Sequence, residues 1–542
     1  MRRGVKVGII STVFAGMVGT AGYGAYNLYQ GLNSGGGGGG FRTQAAPVET
    51  GPPTEAEVRS TAKDFLADWA KGDTTAAGGL TNDAVTARDA LAAYRTEAHV
   101  TKVKLTPGTP VDRKVPFKVV ATLSYNGKTS TWKYSSSLTV FRGETTHKPL
   151  VDWKPSVIHP KLTEGQSLAT GEAPSPQVVV VDRSGKTLDA AKLPSLSSVL
   201  PQLRERYGSK LSGGKPGIET WANGPEGPGQ TLHTITAGTP AKLPTTLDAR
   251  LQATAEQAVK GRPQSSVAVV KASTGEILAF ANNPATDNNN AFNAQVAPGS
   301  TFKVLTATAL LEKGVSPGAA APCPATANYN NGKMFHNVES SSDPSATFQR
   351  DFAISCNTGF IKLAGNLSES SVPTVAQRYY GFGQTWNVGV PAWDGRVPGG
   401  SGDEMTEEMI GQGQIQMSPL NMAAVAATAD TGTFRQPRLV SADLIGEPLA
   451  KAGSSLPSGV RGNLKSMMRL TASSGTAAGA MSGVYGDVGA KTGSAEVGGQ
   501  EKPNGWFLAY RNDVAAAGMV LEGGHGGDSA GPIVAALLKA SS

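Results

Sequence analysis

The chain has 542 residues, enough for three or four domains of about 150 residues each, and 39% of them are hydrophobic, as in ordinary globular proteins. Its net charge of +7 is small for this length and fits either a solvated surface or contact with an anionic membrane or wall polymer. Basic and aromatic residues do not cluster, so nucleic acid is not an expected partner, and no His or carboxylate spacing indicates a metal site.

A mostly apolar run over residues 7–29 follows three cations near the N-terminus. At about 1.5 Å per residue it can cross a bilayer core of about 30 Å, and the preceding cations favour a cytoplasmic N-terminus. A cleaved signal peptide is the alternative, although its apolar core is usually only about 7–15 residues long. We expect residues 1–30 to be an uncleaved single-pass anchor in the cell membrane, followed by a flexible Gly/Pro-rich tether over 31–53, with the rest of the chain outside the cytoplasm.

Helix and strand signals alternate in the next segment. Thr54 and Glu57 form a capping-box signature at the start of an amphipathic helix. Two β-rich runs, 115–125 and 129–141, flank an Asn-Gly pair that is typical of a tight hairpin. This pattern predicts an α+β domain over residues 54–165.

Short β-branched and Pro/Gly-rich stretches follow over residues 166–242, which we treat as a separate segment. The remaining residues, 243–542, form the last predicted domain. Five strand-like runs lie in it, at 266–272, 276–281, 488–491, 506–510 and 515–521.

A Pro-Gly break leads into an apolar, helix-compatible run that begins with Ser300 and continues to Leu311. Ser300 and Lys303 are three residues apart, so they should lie one turn apart on the same helix face. A serine becomes a good nucleophile when a base takes its proton, and a lysine can be that base if burial or a nearby cation lowers its pKa. Because a serine at a helix start is more often only an N-cap, this pair alone is weak evidence for catalysis.

Two later motifs strengthen the catalytic interpretation. Ser355-Cys356-Asn357 places a hydroxyl and an amide two residues apart. Lys491-Thr492-Gly493-Ser494 places a cation beside two hydroxyls.

In this order and at this spacing, the three motifs resemble those of class B penicillin-binding proteins, which are peptidoglycan D,D-transpeptidases. Flanking segments at 410–420 and 505–510 share the resemblance, which covers roughly residues 243–542. The segment that ends near Pro160 resembles the cone-shaped, non-catalytic α+β domain of low-affinity members. The resemblance implies a multidomain α+β protein: a membrane anchor, this small domain, a shortened linker or pedestal domain, and a transpeptidase domain in which helices cover a five-stranded antiparallel sheet.

The resemblance also implies roles for the motif residues. The implied catalytic residues are Ser300, Lys303, Ser355, Asn357 and Lys491. Ser300 would be the nucleophile and Lys303 its base, and the backbone N–H groups of Ser300 and Ser494 would form the oxyanion hole. Thr492 and Ser494 would bind the substrate carboxylate, while Gly493 would let the substrate backbone lie along the strand.

The implied substrates are peptidoglycan stem peptides, and β-lactams would acylate the same serine. A membrane glycosyltransferase of the cell-wall machinery is a further implied partner, and no cofactor or metal is expected. A serine β-lactamase and a D,D-carboxypeptidase share this chemistry and remain alternatives. A β-lactam-sensing receptor, which is acylated without turnover, is an alternative of another class.

A second serine also matches a catalytic motif. Residues 527–531 fit the G-x-S-x-G nucleophile elbow of α/β-hydrolases, with Ser529 at its centre. That arrangement needs an acid and then a histidine after the serine, and residues 530–542 contain neither. A chance match is expected among 68 glycines, so Ser529 is not predicted to be a nucleophile.

Cys323 and Cys356 are the chain's two cysteines. In an exported protein an even number favours pairing. The resemblance implies that the loop with Cys323 runs near the second motif. We therefore expect a Cys323–Cys356 disulfide that pins this motif.

Overall fold

The computed structural model describes residues 50–338 and 341–541. The predicted anchor and nearly all of the predicted tether lie outside these ranges. Among the described residues, no helix is both long and apolar enough to span a membrane. The chain divides into two compact units: the described residues up to Ala169 with Trp221–Gln230, and Thr170–Thr220 with the residues from Thr231 onward. The predicted domain boundaries stay predictions.

Three helices precede a four-stranded sheet in the first unit. The helices are α1 (Glu55–Lys71), α2 (Thr74–Gly79) and α3 (Ala84–Thr96), and the strands are β1 (Val100–Pro107), β2 (Lys114–Tyr125), β3 (Lys128–Arg142) and β4 (Pro149–Val151). The strands pair in the order β1-β2-β3-β4, all antiparallel. A short helix, α4 (Pro155–Ile158), follows them.

Local sequence signals account for this arrangement. The predicted capping box forms at the start of α1, where the Thr54 hydroxyl accepts from the Glu57 N–H and the Glu57 carboxylate accepts from the Thr54 N–H. Alternate residues of β2 are buried, so one face of the sheet packs towards the helices. Asn126 and Gly127 join β2 to β3 and both have positive φ, as a type I′ hairpin turn requires.

The predicted linker segment contains short strands and one helix. They are β5 (Ser167–Glu172), β6 (Val179–Val181), α5 (Val199–Tyr207), β7 (Ile218–Gly224), β8 (Gly227–Thr236) and β9 (Lys242–Pro244). Within the second unit, β6 pairs with β9 in parallel, and Val180 and Leu243 are fully buried at this pairing.

A five-stranded antiparallel sheet organises the second unit, as predicted. In spatial order its strands are β11 (Ile277–Asn283), β10 (Ser265–Lys271), β16 (Val514–Val520), β15 (Asn504–Arg511) and β14 (Val488–Ala495). Successive side chains of β15 face opposite cores, Trp506 and Leu508 on one side and Phe507 and Ala509 on the other. Both faces are therefore covered, and β14 lies at one edge.

Helices cover both faces of the five-stranded sheet. Helix α13 (Pro419–Thr431) packs on one face, and α6 (Ala249–Lys260) and α17 (Gly531–Ala540) pack on the other. The other helices of this unit are α7 (Asn290–Asn293), α8 (Lys303–Glu312), α9 (Phe348–Ile354), α10 (Asn357–Lys362), α11 (Ser371–Tyr380), α12 (Asp403–Met409), α14 (Ala442–Ile445), α15 (Ser458–Ser474) and α16 (Ala478–Met481). Two short strands, β12 (Thr326–Ala327) and β13 (Phe335–His336), pair in the loop after α8.

Candidate active site

The first motif begins in a tight turn and continues into a buried helix. Gly299–Phe302 form a 3₁₀ turn, and α8 begins at Lys303, so Ser300 lies just ahead of the α-helix. Gly299 has φ +53°, and a Cβ on it would lie 2.7 Å from the carbonyl oxygen of Ser494. Only glycine combines that conformation with such close contact to β14. Ser300 is 8% exposed and Lys303 is completely buried.

The second motif lies between two helices and contacts Lys303 directly. Ser355 caps the C-terminus of α9 with φ 64°, a left-handed conformation that is uncommon for a residue other than glycine. The Lys303 Nζ donates to the carbonyl oxygens of Ser355 at 2.8 Å and Cys356 at 3.1 Å, and to Asn357 Oδ1 at 2.7 Å. These bonds join the first motif to the second.

The third motif lies on the edge strand β14 and contacts the other two. The Lys491 Nζ donates to the Ser355 Oγ at 2.8 Å and to the carbonyl oxygen of Thr492 at 2.9 Å. A Cβ on Gly493 would lie 2.8 Å from the carbonyl oxygen of Pro298, so the missing side chain makes room for the turn before Ser300. The three motifs therefore meet at one place.

Burial controls the protonation of the two lysines. Desolvation first, and then the charge of Lys491, holds the pKa of Lys303 well below its ordinary value, while Asp351 acts in the opposite direction. Burial lowers the pKa of Lys491 to about 7. The Phe360 and Phe352 rings lie 5.1 Å and 5.6 Å from the Lys303 and Lys491 nitrogens. An amine whose pKa is lowered in this way loses its proton more easily than an ordinary lysine, and the neutral amine can accept a proton.

The predicted disulfide is confirmed: Cys323 and Cys356 are bonded, with 33 residues of sequence separation. Sequence reasoning missed Asn337, which lies in the same cluster. The Asn337 Oδ1 accepts from the backbone N–H groups of Asn357 at 2.9 Å and Thr358 at 3.0 Å, and its Nδ2 donates to Pro324 O at 2.8 Å. The loop before α9 is thereby fastened to the second motif at two points.

Replacing both cysteines with serine should reduce stability more than it reduces chemistry. Opening a loop of this length costs about 2–4 kcal/mol of unfolding free energy, while Asn337 still holds the motif. Calorimetry should give the double variant a lower Tm, close to that of chemically reduced wild type. An unchanged Tm in both samples would mean that the bond contributes no stability.

Thr476 is a second residue that sequence reasoning missed. It lies between α15 and α16, and its Oγ1 is 2.5 Å from the Oγ1 of Thr492. When Thr476 donates in this bond, the Thr492 hydroxyl keeps its own proton for another acceptor. No local pattern marks Thr476, because the contact depends on tertiary packing.

Ser529 is buried against β15. It is 4% exposed, and its Oγ donates to the carbonyl oxygen of His525 at 2.9 Å. A Cβ on Gly505 would collide with this Oγ, so the serine packs tightly against β15. These contacts are those of a structural hydroxyl.

Comparisons with known proteins agree with the fold and the site. The model of the penicillin-binding protein transpeptidase domain matches residues 265–539, about half of the chain, and the model of the NTF2-like N-terminal transpeptidase domain matches residues 57–166. The chain belongs to the penicillin-binding protein transpeptidase family. It is homologous to the peptidoglycan D,D-transpeptidase PbpA of Mycolicibacterium smegmatis, with 28% identity over 360 residues that cover 55% of this chain and 72% of the relative.

Solved structures support the same fold. One, from a study of a peptidoglycan synthase complex that coordinates polymerization and crosslinking, has a TM-score of 0.54 at 21% identity and covers 70% of this chain and 92% of that one. Another is penicillin-binding protein A of M. tuberculosis as an imipenem acyl-enzyme complex, with a TM-score of 0.51 at 20% identity and coverage of 69% and 95%. At these identities the likeness is one of fold.

Proposed function

We propose that this chain is a serine D,D-transpeptidase that cross-links peptidoglycan stem peptides through an acyl-Ser300 intermediate, and that β-lactams acylate the same serine. The observation that carries the proposal is the buried Lys303 amine, which bonds to the second motif and lies near the buried Lys491. A base of lowered pKa one turn from a serine is what acyl transfer requires.

Acylation starts with attack of the Ser300 Oγ on the carbonyl carbon of the penultimate D-alanine while Lys303 takes the hydroxyl proton. The backbone N–H groups of Ser300 and Ser494 stabilise the oxyanion. Ser355 relays the proton from Lys303 to the departing D-alanine amine as the C–N bond breaks, and the charge of Lys491, which bonds to the Ser355 Oγ, assists this transfer. The amine of a second stem peptide then attacks the ester carbonyl carbon, the bond to the Ser300 Oγ breaks as the amide forms, and the proton that the amine loses returns to the Ser300 Oγ through Ser355 and Lys303.

The hydrogen bonds within the site indicate which polar groups remain for the substrate. The Asn357 Oδ1 accepts from Lys303 and one amide N–H donates to the carbonyl oxygen of His336 at 3.1 Å, so the second N–H is left for the substrate amide. The hydroxyls of Thr492 and Ser494 bind the terminal carboxylate. Because β14 is an edge strand, the substrate backbone can add to it as another strand.

A cross-linking assay distinguishes a transpeptidase from the alternatives that share its acyl-serine chemistry. Full-length protein should convert uncross-linked peptidoglycan with pentapeptide stems into dimers that mass spectrometry detects. Release of D-alanine without dimers would identify a D,D-carboxypeptidase instead. Acylation with neither dimers nor release of D-alanine would favour a β-lactam-sensing receptor.

The penicilloyl-enzyme should be long-lived, because the sequence contains no recognisable glutamate motif that would activate a water against the ester. Intact-mass measurements after a stopped-flow burst should find the adduct persisting for many minutes. Hydrolysis at tens per second, an ordinary enzyme rate of the order of 10 s⁻¹, would make this a β-lactamase.

The cellular setting is part of the proposal. Residues 1–30 anchor the chain with its N-terminus in the cytoplasm and the domains at 54–165, 166–242 and 243–542 outside. A membrane glycosyltransferase is the proposed partner, supported by the synthase complex among the structural neighbours. Deletion of residues 1–30 should move the protein from the membrane to the soluble fraction, and its retention in membranes would contradict the anchor.

A further inference from the structure

Asp351 is a buried carboxylate that the proposed chemistry does not use. It lies in α9, four residues before Ser355, and is completely buried. Neither of its carboxylate oxygens has a hydrogen-bond partner among the described residues. A buried polar group without hydrogen bonds costs stability, so the presence of a carboxylate here calls for a reason other than packing.

The carboxylate lies beneath the second motif. A side chain on Gly359 of α10 would collide with the Asp351 Oδ2, and an Asp351 oxygen lies within 4.8 Å of both disulfide sulfurs. The Asp351 backbone carbonyl accepts from the Cys356 N–H at 2.9 Å. The Lys303 amine bonds to the carbonyl oxygens of the same short segment, so Asp351 and Lys303 approach the motif together.

Lys303 is the cation that interacts with this carboxylate. Burial raises the pKa of Asp351 to about 7, Lys303 opposes that rise, and Asp343 adds to it. Asp343 itself pairs with Arg350, and Lys491 on β14 interacts with Lys303. The three cations of α15, which packs on α9, have other partners: Lys465 and Arg469 bind Asp430 and Asp487, and Arg461 donates to the carbonyl oxygen of Asp430.

We infer that Asp351 is a positioning residue that acts through Lys303: its carboxylate is the counter-charge for the ammonium that forms when Ser300 loses its proton. The proton moves from the Ser300 Oγ to the Lys303 Nζ, and Asp351 gains none. Burial and Lys491 make Lys303 easy to deprotonate, whereas Asp351 keeps it basic enough to accept a proton in the transition state. The inference rests on the proposed role of Lys303 as base.

A pH dependence follows from this pairing. In the most reactive form Lys303 is neutral and Asp351 is ionised, so two protons must leave the fully protonated site. The logarithm of the acylation rate should therefore rise on its acid side with a limiting slope near two. In Asp351→Asn the second of these two protons is absent and the pKa of Lys303 is lower, so the slope should fall by one and the acid limb should move to lower pH. The plateau rate should drop at least tenfold, because the ammonium loses its counter-charge.

The experiment measures acylation of full-length protein by a fluorescent penicillin from pH 5 to 10, for wild type, Asp351→Asn and the control Asp343→Asn. Asparagine has the size of aspartate and forfeits no hydrogen bond here, so the Tm should be retained or raised. Asp343→Asn should keep the wild-type slope, because Asp343 is already paired with Arg350.

Two results would overturn the inference. One is a slope of one in the wild-type protein, which needs no variant to observe. The other is a lower plateau acylation rate in Asp351→Asn with the acid limb of the pH–rate profile unchanged, as expected of a purely structural residue. Failure of the base assignment itself is recognised separately, by acylation that survives in Lys303→Arg.

Discussion

Ser300→Ala should abolish covalent labelling by fluorescent penicillin while the folded structure remains. The substitution removes one oxygen from a side chain that is 8% exposed, so packing changes little, but no atom is left to form the acyl bond. Gel fluorescence and mass mapping of the labelled peptide measure the result, and calorimetry checks the Tm. The expected loss reaches the detection limit of the assay.

Ser529→Ala is the matched control. Its hydroxyl is buried and donates to the carbonyl oxygen of His525. Removal of this hydroxyl should lower the unfolding free energy by about 1 kcal/mol and leave labelling intact. Labelling that persists in Ser300→Ala, or that disappears only in Ser529→Ala, would show that another residue is the nucleophile.

The elements with local signals could be predicted from the sequence. The capping residues Thr54 and Glu57 and the Asn126-Gly127 turn specify their conformations within a few residues, so the helix start and the hairpin were predicted correctly. The short parallel pair β6–β9 could not be predicted, because its strands are three residues long and about 60 residues apart.

The candidate site also contains both residues that the sequence predicts and residues that it does not. The three motifs carry residue types that acyl transfer needs, and their meeting at one place agrees with the resemblance. Asn337, Asp351 and Thr476 belong to no motif: Asn337 and Thr476 bond to residues 20 and 16 positions away, and Asp351 interacts electrostatically with Lys303. The 3₁₀ turn that contains Ser300 and precedes α8 lies against Ser494 of β14, a residue far along the chain.

Lys303→Arg should lose most acylation even though it keeps a positive charge. The guanidinium stays protonated at any working pH, so it cannot take the Ser300 proton, and removal of a general base typically costs about 10²–10⁴-fold in rate. Lys491→Arg should retain part of the activity, because that position supplies charge and hydrogen bonds to Ser355 and Thr492. Acylation rates with fluorescent penicillin across pH 6 to 10 compare the variants with wild type.

Lys303→Met separates the loss of basicity from the added bulk of arginine. Methionine is no larger than lysine and is neutral, so acylation should fall as far as in Lys303→Arg, while the Tm should fall because the three acceptors of Lys303 lose their donor. In wild type the rate should fall as the pH drops through the pKa of Lys303, since protonation removes the base. Burial first, and then Lys491, holds that pKa well below 10.5, so the acid limb should lie well below the pH at which an ordinary lysine titrates. If either variant acylates within about tenfold of wild type, a difference of only about 1.4 kcal/mol in transition-state stabilisation, another group must take the proton from Ser300.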